Sequence, residues 1–238
     1  MKLDLLAIGP HPDDVELTSG GTLIKMTDAG YRVGILDLTR GETGSRGAPE
    51  IRLREAARAA KMLGVRVRRN LGLPDARLQV TDENKLAIAA VIREFEPRAI
   101  ILPYWEGRHP DHYTAALLGY EACFIAGLKN FPLAGAPFRP SKILYAAAYA
   151  DVRPTIAVDI TSQYARRRRA ILTYASQFRP PKRDRKSRVV LPLDELEERM
   201  SLQARHYGRL IGVLYAEGYV VKEVMQVDDV VKMPVRSI

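Results

Sequence analysis

The chain has 238 residues, 47% of them hydrophobic, which is enough to bury a substantial core as one large α/β domain. Lysine and arginine (37) outnumber aspartate and glutamate (28), and the net charge of +9 would suit a nucleic-acid partner. Much of this excess lies in residues 166–169 and 182–188. Four consecutive arginines on a helix point in directions about 100° apart, and no aromatic residues alternate with them. We therefore expect no nucleic-acid partner and interpret residues 166–169 as a solvated or subunit-facing surface.

The single cysteine, Cys123, excludes an intramolecular disulfide and fits a reducing compartment. It lies in an apolar helical segment, which favours a packed core thiol over a nucleophile. The apolar run at the N-terminus is too short for a signal peptide, and no run approaches membrane-spanning length. We expect a cytoplasmic protein without a membrane partner, forming one domain over residues 1–238.

Strand and helix patterns alternate through the first hundred residues. Short apolar runs are followed by helical segments, and Gly30 and Gly64 are placed to end two of the helices. This alternation predicts an α/β fold: a Rossmann-like, doubly wound, mostly parallel sheet in the order 3-2-1-4-5, with additional edge strands and flanking helices. The predicted strands span residues 3–8, 31–38, 65–71 and 98–103, and the predicted helices span 17–29, 50–63 and 82–94.

The second half of the chain is less regular, and we find no repeat or linker that would divide it. The segment up to residue 238 after the last predicted helix is interpreted as an edge strand or a tail. Whether the glycine-rich loop 39–49 or the charged loop 177–188 closes as a lid is left open. The predicted elements here are helices over 113–127, 161–175 and 193–215, and strands over 142–150 and 155–160.

The turn after the first predicted strand carries metal-suited side chains. Its sequence, Gly-Pro-His-Pro-Asp-Asp-Val-Glu over residues 9–16, precedes a helix. Because such a turn brings residues three apart onto one side, His11 and Asp14 can bind the same ion. Asp13 then points elsewhere, and a carboxylate beside a metal-bound water is a natural general base. The simpler interpretation is that Asp13 or Asp14 only caps the helix.

A second turn repeats this pattern after the fourth predicted strand. Residues 108–112, Arg-His-Pro-Asp-His, again stand between a strand and a helix. In the order 3-2-1-4-5 the first and fourth strands are neighbours, and their connections run to opposite faces, which opens a crevice at their carboxyl ends. Both turns reach this crevice. The sequence therefore predicts a metal held by His11, Asp14 and His112.

Two imidazoles and one carboxylate with an open position are typical of catalytic zinc. The same set can hold Fe(II), although the oxygenases that use it usually have a jelly-roll fold. We expect a hydrolase in which a metal-activated water attacks an amide or ester carbonyl and Asp13 accepts its proton. A protonated His109 would stabilise the oxyanion, and Asp111 would orient a ring nitrogen. The alternatives are that His109 is a fourth ligand and that Asp111 caps the helix.

Together these motifs resemble the PIG-L or LmbE-like family of zinc-dependent N-acetylglucosaminyl deacetylases. The resemblance implies Zn²⁺ as the cofactor, with other divalent metals left open, held by His11, Asp14 and His112. It implies Asp13 as general base and His109 as oxyanion partner. Further similarity extends over residues 41–47, 52–56, 70–75, 159–161, 176–178, 204–208 and 215–218.

The resemblance also implies a substrate contact for Arg52, and Arg108, in the second turn, is a further candidate for substrate binding. Without it, Arg52 would be interpreted as a surface ion pair with Glu55, three residues further along the helix. The pattern is most similar to the deacetylases of bacillithiol biosynthesis, which implies an N-acetylglucosaminyl malate substrate. The alternatives are another N-acetylated amino sugar, such as a chito-oligosaccharide, and more remotely an Fe(II) enzyme. A homo-oligomer, as a hexamer, is also implied.

Overall fold

The computed structural model of the protein describes residues 1–179, 193–233 and 235. Its centre is a seven-stranded sheet in the order β3-β2-β1-β4-β5-β7-β6. The strands β1 to β5 are parallel, whereas β7 runs antiparallel to both β5 and β6. The predicted order 3-2-1-4-5 with additional strands is confirmed. The strands are β1 Leu5–Gly9, β2 Val33–Thr39, β3 Val67–Leu73, β4 Ala99–Pro103, β5 Lys142–Ala146, β6 Ile156–Asp159 and β7 Ala216–Val220.

Helices cover both faces of the sheet because alternate side chains of a strand point to opposite sides. Leu6 and Ile8 of β1 belong to a core cluster with two helices, and Leu5 and Ala7 belong to the cluster on the other face. No helix in the described ranges combines the length and apolar character needed to cross a membrane. The helices are α1 Asp14–Asp28, α2 Pro49–Leu63, α3 Asp82–Phe95, α4 Pro110–Ala126, α5 Tyr164–Ile171, α6 Ala175–Phe178 and α7 Leu193–Ile211.

Helices α3 and α4 pack on one face, and α1, α2 and α5 contribute to the core of the other face. Both α1 and α4 begin three residues earlier than predicted, at Asp14 and Pro110. A proline at the first helical position is favoured because its missing N–H would have had no partner there. The polar turns are therefore continuous with these helices. This places Asp14, Asp111 and His112 in first turns rather than in loops.

The interpretation of the C-terminal segment was incomplete. The helix predicted to reach residue 215 ends at Ile211, and β7 lies inside the sheet between β5 and β6 rather than at an edge. Because the charged residue Glu217 lies in the middle of β7, the hydropathy pattern does not predict a buried strand there. Its carboxylate accepts hydrogen bonds from the backbone N–H groups of Gly21 (2.8 Å) and Thr22 (2.7 Å) in the middle of α1. A buried charge in a strand requires such partners.

Within the run of four arginines, three bind acidic partners on other elements. Arg166 pairs with Asp28 at 2.5 Å, and Arg168 pairs with Glu197 at 2.6 Å. Arg167 is buried, and its Nε lies 3.0 Å from Glu217. The same guanidinium donates to the carbonyl groups of Glu16 and Leu17 in α1. The interpretation of the whole run as a solvated or subunit-facing surface was therefore wrong, because Arg167 joins α5 to α1 and β7.

Candidate active site

The crevice predicted at the carboxyl ends of β1 and β4 is present, and both polar turns open into it. These two strands are neighbours in the sheet. Their connections diverge because α1 and α4 pack on opposite faces. His11 and Asp14 follow β1, while His109 and His112 follow β4. Strand topology thus brings together side chains about a hundred positions apart, as expected at such a switch point.

His11, Asp14 and His112 form one compact group. His11 Nδ1 lies 3.0 Å from Asp14 Oδ2, and His112 Nε2 lies 3.4 Å from Asp14 Oδ1. One ligand atom from each of the three lies within 4.8 Å of the other two. Donors that each stand about 2 Å from a shared cation are about 3–4 Å apart. This group could therefore hold a metal ion, and so could a second set made of His11, His109 and Asp111.

The contacts of His11 Nε2 favour the set made of His11, Asp14 and His112 as the metal site. His11 Nε2 lies 3.0 Å from Asp75 Oδ1 and 3.1 Å from Asp111 Oδ2. A metal-binding histidine commonly donates its remaining N–H to a carboxylate, which fixes the ring and raises its basicity. In that arrangement Nε2 is used by the carboxylates, and Nδ1 faces Asp14 and the prospective ion.

Asp75 was not found by the sequence analysis. The feature that could have indicated Asp75 is its position two residues after β3, at the same edge of the sheet as both metal-suited turns. Thr43 holds the Asp75 carboxylate through its backbone N–H (2.8 Å) and its hydroxyl (2.7 Å). The carboxylate of Glu42 accepts the backbone N–H of Asp75 at 2.8 Å. The glycine-rich loop after β2 therefore fixes a carboxylate against His11.

The electrostatics of this cluster match a bound cation. Burial alone would lower the pKa of His11, but hydrogen bonds to Asp111, Asp14 and Asp75 outweigh it and raise that pKa to about 12. Burial alone would raise the pKa of Asp14, but His112 and His11 hold it well below its usual range. Three carboxylates around one imidazole are an excess of negative charge. A metal ion at Nδ1 would neutralise the charge that a proton otherwise neutralises.

Asp13 has a strained backbone and a buried side chain. Its φ of 114° lies in the left-handed region, which costs energy for a residue other than glycine and often marks a functional site. Its side chain accepts no capping hydrogen bond from α1, so the interpretation of Asp13 as a simple helix cap was wrong. Burial raises the pKa of Asp13 to about 7, and the nearby Arg52 guanidinium opposes this rise. The carboxyl group can thus gain or lose a proton near neutral pH.

Arg52 is buried and directed at the turn that carries Asp13. Its Nη2 lies 3.3 Å from Asp13 Oδ2 and donates to the carbonyl of Pro12 at 2.7 Å, while Nη1 donates to the carbonyl of Gly41 at 3.1 Å. Glu55 instead accepts from the backbone N–H and hydroxyl of Ser176. The interpretation of Arg52 as a surface pair with Glu55 was therefore wrong. Its contact with a substrate stays a prediction.

His109 caps α4, so the interpretation of Asp111 as the cap was wrong. His109 Nδ1 accepts the backbone N–H of Asp111 at 3.2 Å, which leaves the ring proton on Nε2 in the neutral form. Burial, together with His11 and His112, lowers the pKa of His109 and favours that neutral form, in contrast to the protonated ring expected from the sequence. Asp111 is buried and accepts from the backbone N–H groups of Ala76 (2.8 Å) and Leu78 (3.4 Å).

A cavity of about 340 Å³ lies over this cluster. Asp14, His109 and His112 line its polar end. Tyr149, which the sequence analysis also missed, lines the cavity with its ring centroid 5.3 Å from that of His112. The loop between β4 and α4 supplies one wall, including Arg108. The part of the predicted loop 177–188 from residue 180 onward lies outside the described residues.

Comparison with known proteins agrees with this arrangement. Residues 6–123 match the family model described as "PIG-L: GlcNAc-PI de-N-acetylase". The chain is 36% identical over 230 residues to the diacetylchitobiose deacetylase of Thermococcus kodakarensis, covering 90% of this chain and 81% of the relative. It is 35% identical over 125 residues to a Bacillus cereus protein described as a "probable N-acetyl-alpha-D-glucosaminyl L-malate deacetylase 2", covering 47% of this chain and 57% of the relative.

Among solved structures, a conserved protein of Thermus thermophilus superposes with a TM-score of 0.84 at 39% identity, covering 95% of this chain and 98% of the other. The fold, the crevice cluster and the relatives together define an N-deacetylase, a hydrolase of amide bonds. The chain belongs to the PIG-L family. The family predicted from the sequence is confirmed.

Proposed function

We propose that the protein hydrolyses the N-acetyl group of an N-acetylglucosamine glycoside, releasing acetate and a free amino sugar. The observation that carries this proposal is the convergence of His11, Asp14 and His112 beside a cavity that Asp14 and His112 line, with the buried carboxyl group of Asp13 next to them. The family and the names of its deacetylase members support the substrate class.

His11, Asp14 and His112 would hold the divalent cation, and two imidazoles with one carboxylate suit Zn²⁺. When bound, such an ion polarises a carbonyl group and lowers the pKa of a bound water. The same donor set suits Fe(II). The deacetylase relatives favour hydrolysis over oxygen chemistry. Asp75 and Asp111 would keep the His11 ring in place through Nε2.

Residues of the chain carry out the remaining steps of the hydrolysis. Water attacks the acetyl carbonyl carbon, and Asp13, with its pKa near neutrality, accepts the proton that the water loses. His109 Nε2–H donates a hydrogen bond to the carbonyl oxygen as negative charge develops there. The C–N bond then breaks, acetate leaves, and the amine takes up the proton. Asp111 acts through His11 as a positioning residue.

The aglycone has two candidates. The malate glycoside, predicted from the sequence, has a partial-length relative that supports it. A chito-oligosaccharide is favoured by the relative that covers 90% of the chain, and by the cavity wall, where Arg108 is accompanied by Glu106. A dicarboxylate aglycone would benefit from an unopposed cationic wall, whereas a neutral sugar would not require one.

A direct assay tests this function. Metal-loaded protein is incubated with N-acetylglucosaminyl malate, with diacetylchitobiose and with N-acetylglucosamine, and free amine is measured. We expect amine release, with one glycoside preferred over the other by at least about tenfold in kcat/KM, the discrimination that about 1.4 kcal/mol of binding provides. Preference for diacetylchitobiose would assign the chito-oligosaccharide, and preference for the malate compound the bacillithiol reaction. Release from none of the three would contradict the proposal.

The homo-oligomer and the cytoplasmic location remain predictions. Helix α4 offers a surface through which two copies of the chain could associate. Its outer face exposes 43–56% of each of four large side chains, although its inner face is also apolar. A helix that is apolar on all sides is normally covered on all sides. Charged groups border this face: Arg139 lies over the Phe124 ring, and Glu121 pairs with Lys85 of the same chain at 3.2 Å. The exposed residues are Tyr113, Leu117, Tyr120 and Phe124.

Replacing Leu117 by Glu is expected to dissociate this assembly because it buries a charge at the centre of the contact. Light scattering should give a multiple of 26.6 kDa for the wild type and about one chain mass for the variant. Leu202→Glu, on an exposed position of α7, is the matched control and should keep the wild-type mass. A wild type of one chain mass would contradict the prediction.

A further inference from the structure

Lys222, just after β7, is an exposed residue whose ammonium lies beside three aromatic rings. Its Nζ lies 4.5 Å from the centroid of the Trp105 ring and 5.0 Å from those of Tyr120 and Tyr145. The rings come from the β4–α4 loop, from α4 and from β5. An ammonium within about 6 Å of a ring centroid is attracted by the ring quadrupole, most strongly over tryptophan. We call these three rings and Lys222 the aromatic cage.

Trp105 connects the aromatic cage to the active site. Its neighbours Tyr104 and Glu106 line the cavity, as does Arg108 further along the same loop. The Trp105 ring is stacked on Tyr104 at 4.1 Å between centroids. This loop forms neither helix nor strand, so ladder hydrogen bonds do not fix its shape. Its conformation depends on the side chains that hold it.

The cage is the main partner of the Lys222 ammonium. In the part of the chain that the structure describes, no carboxylate lies within 4.0 Å of Lys222 Nζ, whereas Lys232 in the same tail pairs with Asp229 at 3.3 Å. Without the ammonium, Trp105 would keep its stacking on Tyr104 and its edge contact with Tyr145 at 4.8 Å. It would lose the only cation over its face in the described chain.

We propose that Lys222 is a positioning residue for substrate binding: its ammonium holds Trp105, and Trp105 sets the loop of residues 104–108 that forms one wall of the cavity. Lys222 touches neither the crevice cluster nor the reacting atoms. It therefore acts on how well the sugar is held rather than on proton transfer. The kinetic part of this inference rests on the proposed function.

Trp105 is the only tryptophan in the sequence, so its fluorescence reports on the cage directly. Lys222→Met keeps an unbranched apolar side chain but removes the charge, and Lys222→Arg keeps a cation. We expect Lys222→Met to shift the emission maximum and to raise acrylamide quenching by about twofold, because a weakened cage exposes the ring. Lys222→Arg should restore the wild-type spectrum. Lys232→Met, in the same tail, is the matched control and should leave the spectrum unchanged.

Kinetics then separate positioning from general damage. With the preferred N-acetylated glycoside we expect Lys222→Met to raise KM about fivefold and to leave kcat within about twofold, as loss of one cation–π contact would do. Unchanged fluorescence in Lys222→Met would overturn the inference, and so would altered fluorescence with an unaltered KM. If the wild type releases no amine, the proposed function fails, while the spectra still decide whether Lys222 holds Trp105.

Discussion

Replacing Asp13 by Asn should lower kcat by about 100-fold or more, the range expected for loss of a general base. The amide has the shape of the carboxyl group, and its oxygen can still accept from Arg52, which lies 3.3 Å away. It cannot take a proton from water. Because the prospective ligands are His11, Asp14 and His112, the bound metal should remain.

Acetate release and metal content measured on the same sample test this expectation. Asp82→Asn, at an exposed position in the first turn of α3, is the control and should behave as the wild type in both measurements. Retained turnover in Asp13→Asn would remove Asp13 from the role of base. Loss of the metal together with activity would instead place Asp13 among the ligands.

Replacing Arg68 by Met should destabilise the fold by about 3–5 kcal/mol, the cost of leaving a buried charge without its partner. Arg68 Nη1 lies 2.5 Å from Glu16, and its Nε and Nη2 donate to the two oxygens of Asp37 at 2.7 and 2.9 Å. The side chains of Glu16 and Asp37 are 0% and 1% exposed. After the substitution, Glu16 would keep the hydrogen bond from the Tyr174 hydroxyl, whereas Asp37 would lose both hydrogen bonds that Arg68 donates to it.

The next residue supplies a matched control. Arg69 forms a pair with Glu94 whose side chains are 40% and 48% exposed. Arg69→Met should therefore cost no more than about 1 kcal/mol. Urea unfolding of both variants, followed by circular dichroism, gives the two free energies of unfolding. Equal losses in Arg68→Met and Arg69→Met would show that burial of the network adds no stability.

The sheet order and the metal-suited cluster could be predicted because both depend on local patterns combined with one topological rule. Two strand–turn–helix segments and the order 3-2-1-4-5 place His11, Asp14 and His112 in one crevice without knowledge of any long loop. The roles of Asp13, His109, Asp111, Arg52 and Arg108, and the single domain over residues 1–238, stay predictions.

The remaining features of the site depend on the paths of the loops. Hydrophobic periodicity predicts helices and strands but not those paths. Asp75 reaches His11 only because Thr43 and Glu42 of the glycine-rich loop hold it there. Arg52 and Glu55 are both within the first two turns of α2, and only the surrounding loops decide that Arg52 faces Asp13. Whether the loop 177–188 acts as a lid stays open, because residues 180–188 lie outside the described residues.

The contact of Glu217 with the middle of α1 has a consequence for synthesis on the ribosome. The N–H groups of Gly21 and Thr22 find their acceptor 196 and 195 positions further along the chain. Arg167, held by the same Glu217, meets the carbonyls of Glu16 and Leu17. Contacts of such long sequence separation form late. The tertiary contacts that hold the middle of α1 against β7 and α5 can therefore form only after Glu217 has left the exit tunnel, so a nascent chain stalled before β7 would lack them.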